Sequence, residues 1–160
     1  MENIDYYGFV DLYGEEITER DFSRLSFEAF RVMDDMTTGV DGFRKLRYMY
    51  PTECYDAEAV RRCAYELIRT MHQIEVIEAS AGYVIRQDGT VMNKRVSSVS
   101  SGSESISYAN AGTAGTAIEA AVADREARRA LFFDTVKKYL SGIKDAHGVN
   151  LLYMGVYPRV

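Results

Sequence analysis

The side chains best suited to acid-base or metal chemistry in this chain are its two histidines, His72 and His147. Neither belongs to an HExxH motif, to a pair spaced i, i+4, or to a Cys/His cluster with metal-ligand spacing. His72 follows Met71 in an apolar helical pattern, so we expect it at the rim of a helix rather than bound to a ligand. The sequence therefore predicts no metal site and no cofactor.

Hydroxyl-rich and glycine-bearing stretches are the next candidates for chemistry. Residues 97 to 107 offer many serines, but a serine nucleophile needs a base and oxyanion donors, and no histidine lies nearby in sequence. The stretch AGTAGT, residues 111 to 116, lacks the Gly-Lys-Ser/Thr ending of a phosphate-binding loop. Adjacent acids such as Asp34 and Asp35 point to different sides of a helix, which is typical of a solvated face. We predict no catalytic residues and a protein that is not an enzyme; a small enzyme built from distant residues is the remaining alternative.

Charge and composition restrict the partners. The formal net charge is −5, and residues 1 to 36 carry ten acidic and three basic side chains. Because nucleic-acid binding needs a basic surface, tight sequence-specific contact with DNA is not expected. No apolar run approaches the roughly 20 residues that span a bilayer, and the start MENIDYYGF is unlike a signal peptide. We expect the chain to have no membrane partner and to stay in the compartment where it is made.

Apolar residues at helical spacing predict a first long helix over residues 18 to 36. Thr18 is the expected N-cap, with Asp21 three residues later as a variant of the capping box. Ile17 is expected to pack on Phe22 across the first turn. The start of this helix is thus indicated by two independent signals.

Two further helices are predicted. The intervening loop carries one short helical turn around residues 43 to 49, where we expect no site. The second long helix has Asp56 as its expected cap and places Cys63 on its apolar face as a buried free thiol. The third covers Arg125–Leu140 and ends at Gly142.

Amphipathic helices of this width cannot bury their apolar faces alone, so they must pack on one another. An upstream extension of the third helix through Ile118, Ala121 and Val122 fits the same periodicity. The predicted fold is mainly α, a small helical bundle of three to four helices. At 160 residues the chain fits a single domain, residues 1 to 160.

Between the second and third helices lies a long loop, residues 79 to 112, that does not resemble core. The Asp88-Gly89 dipeptide strongly favours a tight turn and sits between two strand-like segments, so it predicts a short β-hairpin. The serine-rich stretch that follows offers little apolar surface to bury. Within it Ile106 and Tyr108 alternate with serines, a strand-like pattern that we expect to pair with another chain.

The C-terminal tail, residues 148 to 160, is unusually apolar for a chain end. Its apolar and aromatic side chains are Leu151, Leu152, Tyr153, Met154, Val156 and Tyr157. Such a segment needs a surface to cover, either its own core or the groove of a neighbour. The sequence leaves both alternatives open.

Three segments carry a resemblance to a known family. They are YYGFVDLYGEEITERDFSRL at residues 6 to 25, SGSESISYANAG at residues 101 to 112 and LLYMGV at residues 151 to 156. Their order resembles the head-tail connector, or head-completion adaptor, proteins of long-tailed bacteriophages. That family combines an aromatic lead, a YG turn and a capped helix with a serine-rich SES…SYSVSY loop and a closing LLYRGV. Met154 stands here where many relatives have arginine.

The resemblance implies a structural virion protein. Its subunits would form a ring, expected to be dodecameric on the virion, between the portal protein and a stopper or tail-completion protein. Genomic DNA would pass through the channel without sequence-specific binding, and the implied location is the virion, or the host cytoplasm during assembly. The residues expected at the contacts are Ser105, Ile106, Ser107, Tyr108, Leu151, Leu152, Tyr153 and Gly155.

The alternative is a small helical DNA-binding or regulatory module, because helical cores of this size are reused for many functions. The acidic net charge and the lack of a basic recognition helix speak against it. Clear sequence-dependent DNA binding at physiological salt would favour it.

Overall fold

The computed structural model of the chain describes residues 4–80, 83–85, 91–93, 99–101, 104–106 and 117–158. The protein is mainly helical, as predicted. The helices of the described part are α1 (Tyr6–Tyr13), α2 (Glu19–Thr37), α3 (Lys45–Tyr48), α4 (Cys54–Ser80), α5 (Ala117–Ala123) and α6 (Arg125–Leu140). Between α4 and α5 lie the short strands β1 (Tyr83–Ile85), β2 (Val91–Asn93), β3 (Val99–Ser101) and β4 (Glu104–Ile106).

The chain divides into two compact units. The first comprises Met1–His72 and Phe132–Val160, and the second comprises Gln73–Leu131. The boundaries between the units fall inside α4 and α6. The single domain expected over the whole chain stays a prediction.

The aromatic N-terminal segment forms α1, which is absent from the helices expected above. Asp5 is its N-cap, and the carboxylate accepts a hydrogen bond from the Gly8 backbone N–H at 2.7 Å. Phe9 is buried, with its ring centroid 5.5 Å from that of Phe22 on α2. Gly14 ends the helix with a φ of 77°, a conformation that favours glycine. Aromatic packing therefore fixes α1 against α2.

The first long helix, α2, is confirmed. The Thr18 hydroxyl accepts a hydrogen bond from the Asp21 backbone N–H at 3.2 Å and donates one to the Asp21 carboxylate at 2.7 Å. Ile17 and Phe22 are both buried in the same core, as the predicted contact across the first turn requires. The short helical turn expected in the following loop is α3.

The expected start of the second long helix at Asp56 is wrong. Because α4 begins at Cys54, Asp56 lies in its first turn. Its carboxylate accepts a hydrogen bond from the Lys144 backbone N–H at 3.2 Å. Cys63 is buried and free, as predicted, and burial raises the pKa of its thiol to about 12. This thiol is therefore held in its unreactive protonated form.

The core of the first unit is built by α1, α2, α4 and the C-terminal part of α6. Its fully buried apolar side chains include Leu25, Ala29, Met33, Val60, Leu67, Ile68, Leu140 and Leu151. Leu151 belongs to this core although it comes from the tail. The wide apolar stripes of α2 and α4 thus contribute to one shared core, which neither helix could build alone.

The third long helix, α6, has the expected bounds, and Gly142 follows it with a φ of 81°. The residues upstream are helical as well, but they form the separate helix α5. The break is at Asp124, whose carboxylate accepts hydrogen bonds from the backbone N–H groups of Glu126 at 3.1 Å and Ala127 at 3.2 Å. A side chain that caps the next helix in this way favours an interruption over continuation.

The second unit contains the strands. β1 pairs antiparallel with β2, with Tyr83 opposite Asn93, and β3 pairs antiparallel with β4. The Asp88-Gly89 turn expected between the first two strands lies outside the described residues. The segment that contains Ile106, expected to pair with another chain, pairs through β4 with β3 of its own chain.

Candidate interaction surface

The C-terminal tail folds back onto its own unit, one of the two alternatives that the sequence leaves open. Leu151 and Tyr157 are only 0% and 6% exposed. The Val40 backbone N–H donates a hydrogen bond to the Met154 carbonyl at 3.0 Å, and the Tyr157 backbone N–H donates one to the Asp41 carboxylate at 2.9 Å. The loop between α2 and α3 is therefore part of the surface that the tail covers.

A buried carboxylate, that of Asp145, holds the tail in this position. It accepts hydrogen bonds from the backbone N–H groups of His147 and Val149, both at 2.9 Å, and from the Tyr157 hydroxyl at 2.7 Å. Burial, together with this hydrogen bond to a carboxylate, raises the pKa of Tyr157 to about 12. The phenol therefore keeps its proton and remains a donor near neutral pH.

Lys45 is a second buried charge beside the tail. Its side chain is 1% exposed, and its ammonium donates a hydrogen bond to the Tyr153 carbonyl at 2.5 Å. Burial lowers the pKa of Lys45, while the carboxylates of Asp145 and Asp41 act in the opposite direction. We call Lys45, Asp41, Asp145 and Tyr157 the tail lock. Because an isolated buried charge is costly, the presence of both signs is what permits this arrangement.

The tail lock leaves a set of apolar side chains on the outside. Val40, Tyr153, Met154 and Val156 are 75%, 48%, 50% and 65% exposed, and we call them the tail strip. The backbone hydrogen bond between Val40 and Met154 joins the loop and tail parts of the strip. Apolar side chains that a buried network holds toward solvent are typical of an interaction site.

Two glycines allow the loop and the tail to approach closely. A Cβ at Gly39 would lie 2.8 Å from the carbonyl oxygen of Gly155. A Cβ at Gly155 would overlap the Tyr153 ring. The glycine of the LLYMGV segment therefore has a role in the chain's own packing.

The residues expected at contacts in the tail lie in different environments. Leu151 is buried in the chain's own core, and Leu152 is half-buried against that core. Tyr153 is exposed and belongs to the tail strip. Contact of these residues with another molecule stays a prediction, and Tyr153 has the side chain best placed for it.

The residues expected at contacts in the serine-rich loop are only partly described. Ser105 and Ile106 lie in β4. Ser107 and Tyr108 fall outside the described residues. Their role in assembly stays a prediction as well.

A groove of about 450 Å³ opens between α2 and α3, and no tail residue is part of its lining. Its lining combines aromatic rings with charges: Phe27, Phe30, Arg31, Asp34, Asp35, Arg44, Leu46, Arg47 and Tyr50. Arg44 and Asp34 form an ion pair at 3.1 Å. The lining of the groove thus combines apolar and charged side chains.

Neither histidine lines this groove. His72 is half-buried, as expected for the rim of a helix, and His147 is exposed with its ring centroid 6.5 Å from that of Tyr157. Within the described ranges, no group of three or more His, Cys, Asp or Glu side chains is placed to hold a metal ion.

None of the helices in the described part of the chain combines the length and the apolar character needed to cross a lipid bilayer. No protein-family model, curated protein or solved structure matches the chain. The class that the fold defines is a mainly helical protein.

Proposed function

We propose that this chain is a structural subunit of a head-tail connector ring, placed between the portal and the tail of a long-tailed phage. The proposal is supported by the resemblance of three segments to that family. The first of them forms α1, the turn at Gly14 and the capped start of α2. In the last, the Tyr153 and Met154 carbonyls accept hydrogen bonds from Lys45 and Val40.

The observation that carries the proposal is the tail strip held outward by the tail lock. Burial of apolar surface is worth roughly 25 cal/mol per Å², so exposed apolar side chains at fixed positions represent unused binding energy. The buried side chains of Lys45 and Asp145 fix the tail through hydrogen bonds to the Tyr153 carbonyl and from the Tyr157 hydroxyl, so the exposed side chains between these points keep defined positions. A surface prepared in this way suits permanent contact with another protein.

A ring requires each subunit to present two different complementary surfaces, because a head-to-tail contact closes only after several copies. The tail strip suits one such contact, with the neighbouring subunit or the portal protein. The further partners we propose are a stopper or tail-completion protein below the ring and genomic DNA, which passes through without sequence-specific binding. The place of action is the virion, with assembly in the host cytoplasm.

The finer architecture belongs to the same proposal. We propose that β1 and β2 form one hairpin closed by the Asp88-Gly89 turn, carried by the long loop of a bundle of three to four helices. The segment from Ser105 to Tyr108 then contacts a neighbouring subunit or the portal. This loop would then add to the surface through which each subunit contacts its neighbours.

Particles purified from the phage or prophage that encodes this chain test the function. We expect mass spectrometry to find the chain in tailed virions, and electron microscopy to place it as a ring at the head-tail junction. Deleting its gene should yield DNA-filled heads without tails, and expression from a plasmid should restore tails. Virions that lack the chain and form normally without it would overturn the proposal. Sequence-dependent DNA binding at physiological salt would replace it with the regulatory alternative.

A further inference from the structure

The groove between α2 and α3 has more arginines than aspartates in its lining. Its lining carries three arginines and two aspartates, and Arg44 is paired with Asp34. Among the described residues, no carboxylate forms an ion pair with Arg31 or Arg47. Phe27 at its edge is 63% exposed, which is unusual for a phenylalanine without a partner. Arginine beside exposed aromatic rings is the composition of energetically important interface positions.

The outer face of α1 has the complementary composition. Tyr7 and Leu12 are 73% and 47% exposed. Asp11 on the same helix and Glu15 just beyond it are exposed, and no cation forms an ion pair with either within the described residues. Glu16, by contrast, is bound by Arg69 at 3.1 Å. The face thus offers apolar side chains together with two unmatched negative charges.

These two surfaces belong to opposite ends of α2. The rings of α1 pack against Phe22, near the start of α2, whereas the groove is lined by residues from Phe27 to Asp35 and by α3. At 1.5 Å per residue, Phe22 and Arg31 are separated by roughly 14 Å along the helix axis. One subunit therefore cannot bring its own α1 face into its own groove.

We propose that the groove of one copy receives the α1 face of the next copy. The inference rests on the proposed ring, and it names the two surfaces that would build the contact between neighbours. The positive groove attracts the negative α1 face, whereas two grooves, or two α1 faces, would repel each other. The contact is therefore head-to-tail rather than two-fold symmetric. A chain of such contacts adds subunits in one direction, as a ring requires.

Charge reversal provides the test. The groove variant carries Arg31→Glu and Arg47→Glu, and the helix variant carries Asp11→Arg and Glu15→Arg. In either variant alone the two surfaces bear the same sign and repel each other. In an equimolar mixture, the groove of each variant meets the α1 face of the other with opposite sign. The control is Arg125→Glu, which reverses the charge of an exposed arginine on α6, outside both surfaces.

Sedimentation velocity of the full chain, at concentrations up to about 1 mM, measures the result. We expect the wild-type chain and the Arg125→Glu control to self-associate reversibly. Each reversed variant alone should dissociate at least about tenfold more readily, and the mixture should regain association. Recovery in the mixture also shows that the variants are folded.

A wild-type chain that stays monomeric throughout this range would overturn the inference. So would variants that associate as the wild type does, or a mixture that fails to recover. The presence of the chain in virions is measured independently. A chain found at the head-tail junction whose variants still associate would leave the proposed function standing and remove only this interface.

Discussion

The Tyr157 hydroxyl donates a 2.7 Å hydrogen bond to the buried carboxylate of Asp145. Asp145 stands just beyond α6 and Tyr157 lies at the far end of the tail, so the bond closes the tail into a loop on its own unit. The Tyr157 ring centroid also lies 4.2 Å from that of Phe43 in the loop between α2 and α3. One tyrosine thereby joins the tail to both segments on which it rests.

Replacing Asp145 by alanine should destabilise the protein by about 2 to 4 kcal/mol. The substitution leaves the backbone N–H groups of His147 and Val149 and the Tyr157 hydroxyl without their acceptor. It also removes a carboxylate that stabilises the charge of buried Lys45. Urea denaturation measures the loss, and hydrogen exchange should locate it in the tail. Asp134→Ala, an exposed aspartate on α6, is the control and should change the free energy of unfolding by less than about 0.5 kcal/mol. Equal effects of the two substitutions would show that Asp145 does not hold the tail.

The raised pKa of Tyr157 predicts a loss of stability at alkaline pH. Its pKa lies at about 12 in the folded protein and at 10.0 when the side chain is solvated. The unfolded state therefore releases this proton first, so the contribution is complete below pH 10 and is lost as the pH rises toward 12. Burial also raises the pKa of Tyr13 and Tyr65, which adds to the same slope.

Tyr157→Phe should therefore cost about 1 kcal/mol at neutral pH and flatten the decline of unfolding free energy above pH 10. Urea titrations at closely spaced pH values measure both effects. Tyr48→Phe at an exposed position is the control. An alkaline slope unchanged by Tyr157→Phe would contradict the assignment.

The long helices could be read from sequence because their signals are local. The cap at Thr18 and the contact of Ile17 with Phe22 are fixed within one turn of α2. α1 carries similar information, namely Asp5 followed by Gly8 at capping distance, but its aromatic run conceals the helical spacing. Capping chemistry is thus readable even where apolar periodicity is unclear.

The tail lock could not be read from sequence. Lys45 and Tyr153 are 108 positions apart, and a lysine at the start of the short helix α3 gives no signal that it will be buried. Lys45 is buried because the C-terminal tail packs over the loop between α2 and α3. This is a tertiary contact between distant parts of the chain, and no local sequence pattern encodes it. The sequence identified the tail as unusual, but Asp41 and Asp145 were indistinguishable from ordinary surface carboxylates.

The cap at Asp124 predicts a local rather than a global effect of mutation. Asp124→Ala should remove the two hydrogen bonds to the start of α6 and cost about 1 kcal/mol. Hydrogen exchange should then be faster at the amides of Glu126 and Ala127. Asp124→Ser retains an N-capping oxygen and should keep most of the protection. Unchanged exchange in the alanine variant would show that α6 does not depend on this cap.

The tail strip predicts a separation between folding and assembly. Deleting the tail would also remove Leu151 from the core, so any assembly defect would be uninterpretable. Replacing Met154 and Val156 by serine leaves the tail lock intact, and we expect the free energy of unfolding to change by less than about 1 kcal/mol. Incorporation of the variant into virions, measured against a wild-type chain expressed in parallel, should fall at least about tenfold if these side chains fill a partner's surface. Val76→Ser, at an exposed apolar position on α4 outside the strip, is the matched control and should be incorporated normally. A double-serine variant incorporated as well as this control would mean that the strip contacts no partner, and that the tail lock serves only the stability of its own unit.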